Sequence, residues 1–299
     1  MESRKNKAFI FSILIALFTL GMAVQVNATN PPTTYKAISF NIRMSGAAAH
    51  DGIHAWENRK EAVIRMFEDE HPDFFGVQEL LPDQQAYLRE NLTTYGMVGV
   101  GREDGKQEGE CMAVFYNQYR FQLIDSHTFW LSQRPDSATY GWDAACKRTL
   151  TFALLRDKVT QQDIYFFNTH LDHVGEVARR ESVKLICHII DSIRPNDEAI
   201  VMLCGDMNSS IEDTIFAPLK QYHLLAARDM SPITSNVDTY NAYGKNDGAY
   251  ANNRGEHVID HFFTSGALTL VEFRTITKDY GVPYISDHYP IALTFSCGK

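Results

Sequence analysis

Short apolar runs, many of them alternating with polar residues, recur along most of the chain. Runs of about five to eight residues that are rich in β-branched and aromatic side chains are typical of strands with at least one buried face. On this criterion the sequence predicts strands over residues 35–42, 74–78, 97–100, 112–116, 121–129, 149–155, 164–169, 199–204, 258–264, 268–275 and 291–295.

Apolar residues at helical spacing interrupt these runs in three places. The pattern predicts one helix over residues 58–67, a second over 83–92 that Asp83 would cap, and a third over 175–193. The third helix is the longest, and its apolar stripe includes Val183 and Ile190. Many strands with a few helices between them indicate sheets that are covered by helices.

Residues 238–253 differ from the rest because they are rich in Asn, Gly, Tyr and Asp and show no periodicity. We expect a surface loop here, close to whatever site the strands build. This segment contains Tyr240, Tyr243 and Tyr250, whose aromatic rings could contact a lipid surface.

The amino terminus has the order of a secretory signal peptide. Positive residues precede an apolar run over residues 8–24, and Val26-Asn27-Ala28 supplies a small-residue cleavage site. The run is at the short edge of what a spanning helix needs, so cleavage is favoured over an uncleaved anchor. We expect a signal peptide over residues 1–28, a short spacer over 29–33 and one catalytic domain over 34–299. The mature protein would be periplasmic or secreted, without stable membrane insertion.

Composition and charge narrow the range of partners. Hydrophobic residues make up 44% and charged residues 22%, which is ordinary for a soluble globular protein. Loss of residues 1–28 removes three positive charges and one negative charge, so the formal net charge moves from −9 to −11. Such a body does not attract polyanions through its overall field. A nucleic-acid substrate is therefore disfavoured but left open, because a local metal site can supply positive charge.

The five cysteines show no CxxC spacing, so a zinc site built on thiolates is disfavoured. Candidate chemistry lies instead at the ends of the apolar runs. Six runs each meet a carboxylate, an amide or an imidazole at one end, namely Asn41, Glu79, His170, Asp206 with Asn208, Asp260, and Asp287 with His288.

A buried strand end holds its side chain rigidly, which metal and transition-state contacts require. Carboxylate and amide oxygens are hard ligands that suit Mg²⁺, Mn²⁺ or Ca²⁺. Singly, each such residue is more often a turn former, a helix cap or a buried core imidazole. Their coincidence in one chain is what favours a shared site.

The ordered segments resemble those of the endonuclease/exonuclease/phosphatase superfamily, which has the deoxyribonuclease-I-like fold. The resemblance extends from about residue 34 to residue 296, and all six segments occur in the family's order. They are Ser39-Phe40-Asn41, Val77-Gln78-Glu79, Asn168-Thr169-His170, Gly205-Asp206-Met207-Asn208, Ile259-Asp260-His261 and Ser286-Asp287-His288.

The resemblance implies an α+β fold, a four-layer α/β/β/α sandwich in which two packed, mostly antiparallel mixed sheets are flanked by helices. It also implies a metal-dependent phosphoric ester hydrolase with Mg²⁺ (or Mn²⁺ or Ca²⁺) as cofactor. By the same resemblance, Glu79 is the principal metal ligand, with Asn41 and Asp287 close by.

The resemblance assigns five catalytic residues, His170, Asp206, Asn208, Asp260 and His288. Asp260 would hold His288, and His170 would contact the phosphate with Glu110 as its partner. Asp206 and Asn208 would orient or deprotonate the water and stabilise the pentavalent phosphorus. The general base is left open between Asp206 and the Asp260–His288 pair, which could titrate as a coupled unit.

Four residues are candidates for substrate binding, namely Glu110, Arg148, Trp142 and Asp172. Arg148 lies at the start of a predicted strand and could pair with a phosphate, although strand-end cations are often merely solvated. Trp142 could stack on a sugar or a base, or pack under a loop. Asp172 and His173 follow His170 within three residues and could either position a metal ligand or contact the substrate.

Hydrolysis of a small soluble phosphate ester is the leading functional hypothesis. A secreted nuclease and a sphingomyelinase-like phospholipid phosphodiesterase are the alternatives, because one fold serves many substrates. No basic cluster that could track two nucleic-acid strands is evident. A catalytically inactive surface binding module is the non-enzymatic alternative, and the retained Glu79 and His288 argue against it. The sequence leaves the oligomeric state open.

Overall fold

The structure is a computed structural model, and it describes residues 33–235, 237–245 and 257–297. The predicted signal peptide, nearly all of the spacer, and residues 246–256 of the long loop lie outside these ranges. The described residues belong to one compact unit.

Thirteen strands are present in the described ranges, and most begin and end within two residues of the predicted bounds. They are β1 (Thr34–Asn41), β2 (Phe74–Leu80), β3 (Tyr95–Val98), β4 (Cys111–Asn117), β5 (Phe121–Trp130), β6 (Thr149–Asp157), β7 (Asp163–His170), β8 (Ile200–Asp206), β9 (Leu225–Ala226), β10 (Ile233–Thr234), β11 (Asp260–Ser265), β12 (Leu268–Thr275) and β13 (Ile291–Cys297). The two short strands β9 and β10 were not predicted.

The helices are fewer and include the three predicted ones, here α2, α3 and α4. The α-helices are α1 (Ala48–Asp51), α2 (Trp56–Glu70), α3 (Pro82–Asn91), α4 (Glu176–Ile193), α5 (Ala217–Gln221) and α6 (Ala227–Met230), and 3₁₀ turns cover Ser45–Ala47, Gly52–His54, Thr214–Phe216 and Ala242–Gly244. The prediction that Asp83 caps α3 is wrong. Leu81 is the cap residue, and its N–H donates to the side chain of Gln84.

The strands form two mixed sheets. The seven-stranded sheet has the order β10-β12-β13-β1-β2-β4-β3, and the six-stranded sheet has the order β5-β6-β7-β8-β11-β9. The pairs β1–β2, β7–β8 and β10–β12 are parallel, and the other described pairs are antiparallel. The predicted mixed, mostly antiparallel character is therefore confirmed.

Three apolar layers hold the elements together. The central layer joins the inner faces of the two sheets and contains Phe74, Phe166 and Phe295. One outer layer packs α2 and α3 on the seven-stranded sheet, and the other packs α4 and α5 on the six-stranded sheet. This arrangement confirms the predicted α/β/β/α sandwich, because each sheet buries one face against its partner and the other against helices.

Part of the long loop is not on the surface. Asp238, Thr239 and Asn241 are buried. The backbone N–H groups of Asn241 and Ala242 donate to the backbone carbonyl of Asp287. The expectation of a surface loop is therefore wrong for this part, whereas its position beside the strand ends agrees with the prediction. Tyr250 lies outside the described residues. Within the described ranges, no helix has the length and apolar character needed to cross a bilayer.

Candidate active site

Strand register places three of the predicted catalytic residues side by side. In the parallel pair β7–β8, His170 is opposite Asp206, and in the antiparallel pair β8–β11, Asp206 is opposite Asp260. Two strands therefore end where a third begins. Asp260 is the first residue of β11 rather than the end of a strand as predicted, and its antiparallel direction is what brings it to the same edge.

The seven-stranded sheet delivers the remaining residues to the same end of the sandwich. In the parallel pair β1–β2, Asn41 is opposite Gln78, so Glu79 follows directly beyond. Because β13 runs antiparallel to β1 and pairs Ile291 with Ser39, the residues just before β13 return to the end of β1. Asp287 is one of these residues.

Asn41 connects the two sheets through its amide group. Its Nδ2 donates to Oε1 of Glu79 at 3.0 Å and to Oδ2 of Asp206 at 2.9 Å, and its Oδ1 accepts from the backbone N–H of Arg43 at 3.0 Å. Asn41 is buried and does not line the cleft described below. In this structure it therefore holds two carboxylates in position.

Glu79 occupies an unusual backbone conformation at the end of β2. Its φ of 60° is in the left-handed region, and the β2–β4 register shifts between Val77 and Leu80. A bulge of this kind redirects a side chain at a strand end. The carboxylate of Glu79 is fixed in its new direction by the backbone N–H of Met44, which donates to Oε2 at 3.0 Å.

His288 lies between two carboxylates. Its Nδ1 is 2.8 Å from Oδ2 of Asp260, and its Nε2 is 3.6 Å from Oδ2 of Asp206. Burial disfavours the charged ring, but the carboxylates of Asp260 and Asp206 outweigh this effect and raise the pKa of His288 to about 10. Burial also raises the pKa of Asp206, to about 7. The predicted Asp260–His288 pair is present.

His170 is buried beside this pair, with a lowered pKa. Burial is the main cause, and the charges of Arg148 and Arg102 add to it, so the ring is neutral near pH 7. Nδ2 of Asn208 donates to the carbonyl of Leu171 at 3.0 Å and lies 3.0 Å from Nε2 of His170. An amide group can donate in both directions, which makes Nε2 the acceptor and leaves the proton on Nδ1.

The predicted pairing of His170 with Glu110 is not formed. Nδ1 of His170 has no hydrogen-bond partner, and Oε2 of Glu110 accepts instead from Nη1 of Arg102 at 2.7 Å. A charge-assisted bond to a guanidinium is stronger than a bond to a neutral imidazole. Arg102 lies in an irregular segment without a recognisable motif, so no signal in the sequence identified it as the hydrogen-bond partner of Glu110.

The strand ends surround a cleft of about 490 Å³. Eight of the predicted site residues line it, as does His173, and several other lining residues were not predicted. The described residues that line it are Arg43, Met44, Glu79, Arg102, Glu110, Cys146, Arg148, His170, His173, Asp206, Asn208, Tyr240, Ile259, Asp287 and His288. Arg43 follows Asn41 by two residues, and this proximity is the signal that could have identified it.

Arg148 lies in the cleft wall as predicted, whereas Asp172 has a different role. The buried carboxylate of Asp172 accepts from the backbone N–H groups of Ala145, Cys146, Val174 and Gly175 and from Nε of Arg148 at 3.3 Å. Burial opposes ionisation, but these backbone hydrogen bonds outweigh it and hold the pKa of Asp172 well below its usual range. Asp172 therefore fixes a loop and an arginine and does not line the cleft.

Trp142 is not among the residues that line the cleft. It has a φ of 49° and directly follows Gly141. A Cβ at position 141 would lie 2.1 Å from the carbonyl oxygen of Leu131, so only glycine fits there. This close approach fixes the path of the segment. The prediction that Trp142 stacks on the substrate consequently receives no support from its position.

The donor set at one end of the cleft fits a hard cation. Burial raises the pKa of Asp287, and the charge of Glu79 adds to the shift. Two carboxylates that line one cleft repel each other, and Arg43, whose Nη1 lies 3.6 Å from Oδ2 of Asp287, offsets part of this repulsion. Glu79 and Asp287 could hold a divalent cation, which would offset the rest. Among the described residues, two groupings of three side chains have ligand atoms within 4.8 Å of one another, namely Asp206 with Asp260 and His288, and Cys146 with Asp172 and His173. In the latter, backbone N–H groups already donate to both oxygens of Asp172.

The chain belongs to the endonuclease/exonuclease/phosphatase family, whose model matches residues 38–288. Members of this family are hydrolases that act on phosphate esters. The family and the fold agree with the geometry described above, in which acidic and imidazole side chains from both sheets converge on one cleft.

Two solved structures resemble the chain over most of its length. An endonuclease/exonuclease/phosphatase from Bacteroides vulgatus is 31% identical with a TM-score of 0.81, and the match covers 89% of this chain and all 100% of that one. A mannosyl-6-phosphatase of Bacteroides thetaiotaomicron is 28% identical with a TM-score of 0.80, over 87% of this chain and 99% of that one. Protein L388 of Acanthamoeba polyphaga mimivirus is 23% identical over 271 residues, which cover 87% of this chain and 99% of that one.

Proposed function

We propose that this protein hydrolyses a small soluble phosphate ester outside the cytoplasm, using a divalent metal and an attacking water. The observation that carries the proposal is the row Asp260–His288–Asp206, in which His288 and Asp206 line the same cleft as the carboxylates of Glu79 and Asp287. Glu79 and Asp287 suit a cation, and Asp206 and His288 suit proton transfer and a developing negative charge.

Glu79 and Asp287 would hold the metal, which is Mg²⁺ or one of the hard ions Mn²⁺ and Ca²⁺. When bound, such an ion withdraws charge from phosphate oxygens. Asn41 contributes by positioning Glu79 relative to Asp206, because its Nδ2 donates to both carboxylates. This role differs from direct ligation, which the family resemblance implies for Asn41.

Asp206 is the residue best suited to take a proton from the attacking water. Burial raises its pKa from the ordinary value of a carboxyl group towards neutrality, where a general base combines availability with driving force. His288 has a raised pKa, so it is charged and donates to a phosphate oxygen instead of accepting a proton. Asp260 fixes the ring through Nδ1, and Nδ2 of Asn208 orients His170.

The lining of the cleft favours a small polar substrate. Among the described residues that form it, Tyr240 is the only Phe, Tyr or Trp, whereas binding of single-stranded nucleic acid depends on several stacking aromatic rings. The similarity to a mannosyl-6-phosphatase supports a sugar phosphate in particular. A nuclease or phospholipid phosphodiesterase remains the alternative, and the pattern of turnover decides between them.

The test is hydrolysis of p-nitrophenyl phosphate, bis-p-nitrophenyl phosphate, a panel of sugar phosphates, single-stranded DNA and phospholipid vesicles, with Mg²⁺ or Mn²⁺ and with or without a chelator. The proposal predicts turnover that the chelator abolishes and that added metal restores. Absence of any chelator-sensitive hydrolysis across the panel would indicate an inactive binding module instead. Turnover only of nucleic acid or of lipid vesicles would replace the proposed substrate class.

A further inference from the structure

Arg148 is held in the cleft wall with part of its guanidinium unused. The residue is 4% exposed, its Nε donates to Asp172 at 3.3 Å, and its Nη2 lies 3.0 Å from Nδ1 of His173. Nη1 is buried and has no hydrogen-bond partner. A buried donor without a partner is destabilising, so a fixed guanidinium of this kind indicates a ligand that accepts from it.

Arg102 also lines the cleft, and its guanidinium group is likewise only partly hydrogen-bonded. Its Nη1 donates to Glu110 at 2.7 Å, and its backbone carbonyl accepts from Nε1 of Trp130 at 2.8 Å. Its Nε is buried and has no hydrogen-bond partner, and the nearest carboxylate oxygen, Oε1 of Glu103, lies 3.6 Å away as an ion-pair contact. The adjacent Lys147 contacts Glu103 at 2.9 Å, which ties the segment after Arg102 to the start of β6. The two guanidinium groups are thus preorganised by different parts of the chain.

Both groups lie close to the catalytic row. Arg148 directly precedes β6, in which Leu150 pairs with Thr169 next to His170. The charges of Arg148 and Arg102 both act on His170, whose Nε2 is 3.4 Å from Oδ2 of Asp206. The guanidinium groups of Arg148 and Arg102 therefore lie near His170 in the cleft that His288 also lines, and a phosphate held beside His288 can reach them.

The charge of the ester decides how well it fits such a wall. A phosphate monoester carries about two negative charges near pH 7 and three terminal oxygens. A diester carries one charge and two terminal oxygens, and its second substituent would have to face the charged wall. Each unpartnered guanidinium N–H can donate to one terminal phosphate oxygen, so the monoester, with more such oxygens and more charge, gains more from the two groups.

Resting on the proposed function, we propose that Arg148 and Arg102 form a receptor for terminal phosphate oxygens, so that the enzyme selects phosphomonoesters over phosphodiesters. Asp172 and His173 on one side, and Glu110 on the other, act as positioning residues for the two guanidinium groups. The substrate class is accordingly a monoester of a small polar alcohol.

The kinetic test compares kcat/KM for p-nitrophenyl phosphate and bis-p-nitrophenyl phosphate. The wild type should prefer the monoester at least about 10-fold, and Arg148→Met should lower monoester turnover about 10- to 100-fold while changing diester turnover less than about 3-fold. Arg148→Lys keeps the charge and should lose less. Arg156→Met, on β6 but paired with Asp163 at the surface, is the control and should leave both rates unchanged. A preference for the diester, or an equal loss on both esters, would overturn the proposal.

A binding test separates this inference from the proposed function. Titration calorimetry with inorganic phosphate is done in the presence of chelator, on the wild type and on Arg148→Met, Arg102→Met and Arg156→Met. The receptor predicts phosphate binding that each Met variant weakens about 10-fold or more and that Arg156→Met preserves. If neither ester is hydrolysed but this pattern holds, the hydrolase fails and the receptor stands. Equal phosphate binding by all variants, or none by the wild type, refutes the receptor whatever the turnover.

Discussion

Nδ2 of Asn41, at the end of β1, donates a hydrogen bond of 2.9 Å to Oδ2 of Asp206, at the end of β8 in the other sheet. The same nitrogen donates to Glu79 at 3.0 Å. One buried side-chain amide thus sets the distance between Glu79, which suits a cation, and Asp206, which suits proton transfer. The two sheets are held in register at the place where the chemistry requires it.

Asn41→Ala removes both of these hydrogen bonds and frees two carboxylates. We expect turnover to fall by about 100-fold, because small displacements of reacting groups are costly. Stability should fall by only about 1–2 kcal/mol. Steady-state kinetics and urea unfolding measure the two effects. Asn91→Ala, at the exposed end of α3, is the matched control, and an equal loss of activity there would contradict the assigned role.

Glu79→Gln replaces a carboxylate with an amide of the same shape. Metal affinity should fall by about 100-fold or more, since a hard divalent ion loses a charged oxygen ligand. Calorimetry with Mn²⁺ measures this directly, and activity at saturating metal gives the second readout. Glu61→Gln, an exposed side chain on α2, should bind the metal normally. Wild-type activity of Glu79→Gln at low Mg²⁺ would disprove the metal assignment.

Asp260→Asn keeps the size of the side chain that holds His288 but removes its charge. The pKa of His288 should fall, because the carboxylate of Asp260 is the largest influence that raises it. Turnover should fall by about 1,000-fold as the ring loses its charge and orientation. A pH titration of the ring by NMR, together with kcat, tests both statements. His127→Asn, half-exposed on β5, is the control.

Asp172→Asn should destabilise the fold by about 2 kcal/mol, because four backbone N–H groups and Arg148 lose an ionised acceptor. The pKa of Asp172 is lowered in the folded protein. Its contribution is therefore present above the unfolded pKa of about 4 and is lost as pH falls towards the folded pKa. Unfolding at several pH values should show the gap between wild type and variant closing in acid. Asp163→Asn at the surface should change stability by less than about 0.5 kcal/mol.

Export makes a separate prediction about the amino terminus. Expression of the full chain in a bacterial host should give a mature protein that begins at Thr29 if Val26-Asn27-Ala28 is the cleavage site that the sequence predicts. Cell fractionation and amino-terminal sequencing check this outcome. Replacing Ala28 with a bulky residue should leave the precursor uncleaved. An intact amino terminus on the wild type in the membrane fraction would favour an anchor.

The sequence by itself determined the strands, the main helices and the edge at which the chemistry lies. Local pattern suffices for these, because a buried strand shows as an apolar run and its end shows as a polar residue. Asn41, Glu79, His170, Asp206 and His288 were recognisable in this way. Their order along the chain then identified the family and, through it, the sandwich.

Only the tertiary structure decided what each of these groups contacts. Glu110 accepts a hydrogen bond from Arg102 and not from His170, and Asp172 accepts one from Arg148. Trp142 does not line the cleft, and the side-chain amide of Asn41 donates to two carboxylates. The partners in each case come from different segments, and Asn41 and Asp206 are 165 residues apart. Pairing and pKa depend on distances of a few ångströms between such segments, and no local pattern of residues encodes those distances.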